Sequence, residues 1–215
     1  MQNHAVRQNT GCRGVNNNAE VKLAVNRRDF LKMSGGLLLG SSLAGLTLLN
    51  SPPAYANDVI QNAFWRQNRW LHLQRQGQSG TLELCFFKDG QYDKTAYQRL
   101  CWLMRDVKDA NTAVAVDIGV FNLLYGIQEW ARMLRYEKPI ITINSGYRTQ
   151  RHNNSIEGAA KHSLHMQARA VDYSMNGVPL SLLRDMARYY AVGGVGEYPT
   201  FLHIDTGRVR HWKGK

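Results

Sequence analysis

The sequence predicts an α+β domain, with helices packed on a small, largely antiparallel sheet. Three observations carry this reading. Residues 69–75 (RWLHLQR) and 81–88 (TLELCFFK) alternate in polarity and are joined by GQSG, as two strands of a hairpin would be. Two apolar stripes repeat at helical spacing, over 94–107 and again from about Asp117 to about Arg135. Short stretches of strand character, 140–144, 169–175, 201–205 and 208–212, then follow, separated by loops and by a single further helix.

Taken in order, the hairpin turns into KDGQYD (88–93), a Gly-bearing turn. Tyr97, Leu100, Cys101 and Met104 give the first helix its buried face, and DANTA (109–113) breaks it. Asp117 is a plausible N-cap for the second helix. Val120, Leu124, Ile127, Ala131 and Leu134 line one side of that helix, and Pro139 closes the segment. IITIN (140–144) is a β-branched strand feeding the loop SGYRTQRHNNS. RAVDYSM (169–175) reads as a strand and LSLLRDMARYY (180–190) as a helix. GGVGEY (193–198) reads as a turn, FLHID (201–205) as a strand and RVRHW (208–212) as the last strand.

The N-terminal 56 residues are a different kind of sequence. NRRDFLK (26–32) pairs two arginines ahead of an apolar run diluted by Gly and Ser, and Ala54-Tyr55-Ala56 offers a small-x-small cleavage site. This order resembles a twin-arginine export signal, removed after Ala56. It predicts one domain over 57–215, a periplasmic location, and contact with the membrane only during export. Residues 1–56 hold six of the 27 basic and two of the 16 acidic residues, so 21 basic against 14 acidic residues leaves +7 on the mature chain. Cell-wall polymers are the anionic partner such a charge suits. No basic stripe or nucleic-acid motif is present, so nucleic acid is not expected as a partner. Cys85 and Cys101 stay in the mature chain, in a compartment that permits a disulfide. Cys101 on its helical stripe reads equally as a buried thiol. Oligomeric state is left open.

The candidate site begins in SLHMQARAVDYSM (163–175), which sets His165 and Asp172 seven residues apart. A neutral imidazole and a carboxylate are both ligands for zinc, and a catalytic zinc takes three protein ligands with one position open. His203 is a third candidate. Strand alternation sends His203 and Asp205 to the same face, so a ligand would lie beside a candidate base or an orienting partner.

The same residues carry a resemblance. Ser163-Leu164-His165, followed by Ala168, Ala170 and Asp172, is similar to the zinc motif of the D-Ala-D-Ala carboxypeptidase/endopeptidase superfamily (peptidase M15). SGYRT (145–149) resembles the segment just upstream in that superfamily, and GGVGEYPTFLHIDTGRVRHW (193–212) resembles the C-terminal block of its exported murein-endopeptidase branch. The resemblance implies zinc held by His165, Asp172 and His203 over a small antiparallel sheet, the fold shared by hedgehog and DD-peptidase domains. It implies Arg148 as the group that binds substrate and steadies the oxyanion, with peptidoglycan peptides as substrate. Two positions depart from the family pattern. Ala168 stands where Gly is usual, which matters if that backbone needs positive φ. Thr200 stands where many members carry an acid three residues before the last His, leaving Asp205, then Glu197, as candidate bases.

The function expected is therefore a zinc-dependent murein endopeptidase. A peptidoglycan-binding protein that keeps the metal pocket without turnover is the rival, and the missing acid at Thr200 is its support. A structural zinc site is disfavoured because three ligands are found, not four. His162 lies outside the motif and reads as rim or solvent. His72, His152 and His211 have no partner pattern. Trp65, Trp70 and Trp102 fit either the core or a groove facing substrate.

Overall fold

Alternation within the strands decides the architecture. The computed structural model describes residues 63–215; the export segment expected over 1–56 and the domain start expected at 57 lie outside them. Eight strands form one sheet: β1 (Arg69–Arg75), β2 (Leu82–Lys88), β3 (Gln91–Tyr92), β4 (Ile141–Ser145), β5 (Ala170–Met175), β6 (Gly194–Glu197), β7 (Leu202–Asp205) and β8 (Arg210–Lys213). Their order is β3-β2-β1-β4-β5-β7-β6-β8. The β1–β4 and β6–β8 pairs are parallel and the others antiparallel, as the expected sheet type requires.

Cross-strand register divides the residues between two faces. Leu73 opposes Ile141, Ile143 opposes Tyr173, and Val171 opposes Ile204, which in turn opposes Val195. All of these are buried. This apolar face is covered by α1 (Lys94–Leu103) against β2, α2 (Ile118–Met133) against β1, and α4 (Leu180–Tyr190) against β5, β6 and β7. The other face carries Gln74, Thr142, Ser174, Asp172, His203 and Asp205. Asp172, His203 and Asp205 thus occupy the face the large helices leave free. Among the described residues, no helix is long and apolar enough to cross a membrane.

Several boundaries differ from expectation. Helix α1 stops at Leu103 rather than near 107, because the Met104 carbonyl is taken by the Tyr147 N–H at 2.7 Å. Helix α2 ends at Met133, before Pro139, with Arg135 at φ 64 completing the turn. GGVGEY is not only a turn: Gly194–Glu197 is strand β6. Two short helices, α3 (Gln150–Asn154) and a 3₁₀ turn (Leu164–Gln167), occupy stretches expected to be irregular. Cys85 and Cys101 are both buried and form no disulfide. The Cys101 sulfur instead accepts from the Val116 N–H at 3.5 Å.

Asp117 ties α2 to the site. Its side chain caps Gly119 N at 2.9 Å and accepts from the Thr206 hydroxyl at 2.6 Å, and its own N–H reaches the Ala168 carbonyl at 2.9 Å. Asp117→Ala is expected to lower unfolding stability by about 1–2 kcal/mol, read by urea denaturation; an unchanged midpoint would show that the cap contributes nothing.

Candidate metal centre

His165, Asp172 and His203 come from three elements that the register brings together. Asp172 on β5 lies directly opposite His203 on β7. His165 arrives from the 3₁₀ turn, whose N-cap Ser163 accepts from the His165 N–H. The chain can re-enter β5 at once because Ala168 adopts φ 53, ψ 36. That is the left-handed conformation in which the family pattern favours glycine, so here an alanine occupies it. Its methyl is buried, which offsets part of the conformational cost.

The three side chains converge through one atom each. His165 Nε2 is 3.1 Å from Asp172 Oδ1 and 3.1 Å from His203 Nδ1, and His203 Nδ1 is 2.8 Å from Asp172 Oδ1. All three residues are buried. The outward ring nitrogens are already committed. His165 Nδ1 lies 2.6 Å from the Gly146 carbonyl, and His203 Nε2 lies 3.1 Å from Asp205 Oδ2. A proton on each outward nitrogen leaves the inward nitrogens of the neutral rings as bare lone pairs facing a carboxylate oxygen. Three acceptors this close want a cation between them. Bonds of about 2 Å in a tetrahedral zinc site place neighbouring ligand atoms only a little over 3 Å apart, so the residues fit a small divalent metal.

Electrostatics favour the metal-binding state of Asp172 and His165, whereas without a cation His203 favours its protonated form. Burial would raise the Asp172 carboxyl, but His165 and His203 hold it well below the usual carboxylate range. Burial lowers His165 and keeps it neutral. Burial pulls His203 down too, yet hydrogen bonds to Asp172 and Asp205 outweigh it and raise the ring above its ordinary value.

The remaining candidates are placed as follows. Arg148 donates from Nη2 to Asp172 Oδ2 at 2.5 Å and from Nε to Ser145 Oγ at 2.8 Å. It therefore grips the oxygen of Asp172 that points away from the two histidines. Asp205 is fully buried. It accepts from the Gly194 and Gly207 N–H groups, from both terminal nitrogens of Arg210, and from His203. Glu197 is paired with Arg184 at 3.1 Å, and its strand neighbour Leu202 shows that it lies on the helix-covered face. Thr200 is exposed in the turn before β7, and His162 is exposed ahead of the 3₁₀ turn.

Four contributors escaped sequence reasoning. Gly146 supplies the carbonyl that orients His165, and it must be glycine: a Cβ there would lie 2.4 Å from the Met104 carbonyl oxygen. Trp212 walls the site, its ring 5.2 Å from that of His203, and Gly196 makes room for it, since a Cβ would meet the indole at 2.5 Å. Asp106, buried, accepts from Thr149 N at 2.9 Å and contacts His152 Nδ1 at 2.9 Å, bracing the segment that carries Arg148. Only Trp212 had a local signal, sitting in alternation with Arg210 on the last strand.

In the metal-free protein, charged His203 contributes stability that is fully present below about pH 6.5 and is lost as pH rises through its raised value. Asp172 contributes stability that is present above the ordinary carboxylate value and lost as pH falls through its lowered one. The chelated protein should therefore lose thermal stability as pH climbs above about 6.5, and added zinc should flatten that decline. Equal pH profiles with and without zinc would overturn this. Ala168→Gly should change unfolding stability by less than about 1 kcal/mol, because relief of the left-handed conformation and loss of a buried methyl oppose each other.

The family described as "Peptidoglycan L,D-endopeptidase MepK" matches residues 64–212. Peptidoglycan L,D-endopeptidase MepK of Escherichia coli (strain K12) is 34% identical over 197 residues, covering 89% of this chain and 99% of that protein. The probable peptidoglycan L,D-endopeptidase MepK of Haemophilus influenzae is 31% identical over 195 residues, covering 88% and 96%. With the match spanning β5, β7 and the 3₁₀ turn, the chain belongs to the MepK family of M15-type peptidases.

Proposed function

We propose that this chain is a zinc-dependent peptidoglycan endopeptidase, exported by the twin-arginine route to the periplasm, that hydrolyses L,D-peptide cross-links. The observation that carries the reading is the convergence of His165 Nε2, Asp172 Oδ1 and His203 Nδ1 with both outer ring nitrogens already bonded elsewhere. Family membership supports the substrate class. Of the two cross-links a diaminopimelate wall offers, the one between two diaminopimelates joins an L centre to a D centre, and the D-Ala link does not. The paired arginines at 27 and 28 and the Ala54-Tyr55-Ala56 site support export.

His165, Asp172 and His203 would hold the metal. Bound there, zinc lowers the pKa of water toward neutrality and polarises a carbonyl. The protein's own groups position the reactants and stabilise charge. Arg148 fixes the outer oxygen of Asp172 and offers the remaining guanidinium N–H groups to the charge that develops on the scissile carbonyl oxygen. Trp212 gives the site an apolar wall against His203. Both oxygens of Asp205 are occupied by donors, so it acts through His203, holding the proton of the neutral ring on Nε2 and turning Nδ1 toward the metal. Glu197, committed to Arg184, takes no part in proton transfer.

These assignments separate cleanly in zinc binding and muropeptide digestion. His203→Ala should lose both the metal and the conversion of cross-linked dimers. Asp205→Asn should weaken zinc about 10–100-fold, with turnover restored at saturating zinc; if saturation fails to restore it, Asp205 is the base. Arg148→Ala should cost about a hundred- to a thousand-fold in turnover. Glu197→Gln should leave turnover unchanged. Zinc binding by the parent with every muropeptide left intact would instead favour the wall-binding reading.

A further inference from the structure

We propose a second ligand site: an anion-binding cleft between the β1–β2 hairpin loop and the C-terminal end of α1, which takes the free carboxylate of a peptidoglycan stem peptide. The choice of peptide rests on the function proposed above; the cleft and its charge do not. The cleft has a volume of about 560 Å³ and shares no residue with the metal centre. Its lining includes Arg75, Arg99, Arg105, Trp102, Gln78 and Gln98, and no acidic residue. Among the described residues, none of the three arginines has an ion-pair partner.

Each arginine is set for a ligand in its own way. Arg75 is only 6% exposed, and Nη1 donates to the Leu103 carbonyl at 2.9 Å. That carbonyl at the end of α1 explains where the side chain sits, but a neutral acceptor does not balance a buried positive charge. Burial and the neighbouring Arg105 pull its pKa below the ordinary arginine value, and Asp106 pushes back least. Arg105 is held by Asn111 Oδ1 at 3.0 Å and by the Trp102 carbonyl at 2.9 Å, with its guanidinium 4.4 Å from the Trp102 ring centre. Trp102 is 55% exposed, a flat apolar shelf beside three cations. Arg99 is exposed at the rim.

The shape selects the class of ligand. An inorganic ion would fill a small part of a cleft this size, which falls in the range of small-molecule sites. Guanidinium groups recognise a carboxylate in paired hydrogen bonds, and the indole face suits a hydrocarbon or peptide body attached to it. A stem peptide has both parts. Held here, one strand of the wall would be anchored while another is presented to the metal centre.

The test is titration calorimetry on the purified chain with an uncross-linked disaccharide-tetrapeptide, its carboxamide counterpart and inorganic phosphate. The double variant Arg99→Ala/Arg105→Ala should bind the tetrapeptide about tenfold or more weakly, with an unchanged thermal midpoint. Arg99→Lys/Arg105→Lys should retain part of the affinity, and the carboxamide should bind the parent as poorly as the acid binds the double variant. The double variant should bind zinc as the parent does, since the cleft shares no residue with the metal centre. Parent-like binding by the alanine variant, equal binding of acid and carboxamide, or phosphate binding as tightly as the muropeptide would each overturn the proposal. If the parent binds in this cleft but zinc-loaded protein cleaves no cross-link, the endopeptidase reading falls and the cleft stands.

Discussion

Three proton acceptors held about 3 Å apart in a buried place repel one another unless something positive lies between them. The domain is organised around tolerating that crowding. Two of the acceptors sit opposite each other on antiparallel strands, where cross-strand spacing brings side chains together without help from loops. The third is delivered by a single 3₁₀ turn that starts on a serine cap and ends on a left-handed alanine. The outward side of each imidazole is then closed, one by a main-chain carbonyl and one by a carboxylate. Removing either support would free the ring to flip its tautomer, and the inward lone pair would be lost.

That support reaches some distance from the site. The Gly146 carbonyl stays in place because the backbone of Met104, the C-cap of α1, packs against Gly146 and accepts from the Tyr147 N–H that follows it. Asp106, two residues on, holds Thr149 and His152. Asp205 in turn depends on two glycine N–H groups and on Arg210 from β8, on the far side of β6. The apolar face of the sheet gives this frame its rigidity, since the helices bury Ile143, Tyr173 and Ile204 directly behind the ligand-bearing positions.

Much of this was legible where side-chain period and residue type agree. The hairpin, α2 with its Asp117 cap, and strands β4, β5 and β7 all show strong alternation or a clean helical stripe. Strand β6 was missed because Gly194-Val195-Gly196 looks like a turn. Its glycines are there because Asp205, Arg210 and Trp212 lie against them, a tertiary demand that no local pattern expresses. The 3₁₀ turn and α3 are too short for periodicity to register. In the site, alternation correctly placed His203 and Asp205 on one face but carried no information about depth. It could not tell a carboxylate facing substrate from one saturated with donors. Glu197 was unreadable for the same reason as its strand: without knowing that β6 exists, nothing says which way it points. The Asp106–His152 contact joins residues 46 apart in sequence and leaves no trace in either neighbourhood.

The spacing of the three candidate ligands along the chain has one more effect. His165 and His203 are 38 positions apart, and the intervening stretch contains β5, α4 and β6. A cation gripping both ends closes that stretch into a loop, much as a covalent staple would, and it does so only in the folded state. The half of the sheet that carries the chemistry would then be held shut by the ion it serves. A molecule starved of metal would lose its grip on its own fold as well as its capacity to react. The supply of one ion would then bear both on how fast this protein works and on how long it stays folded.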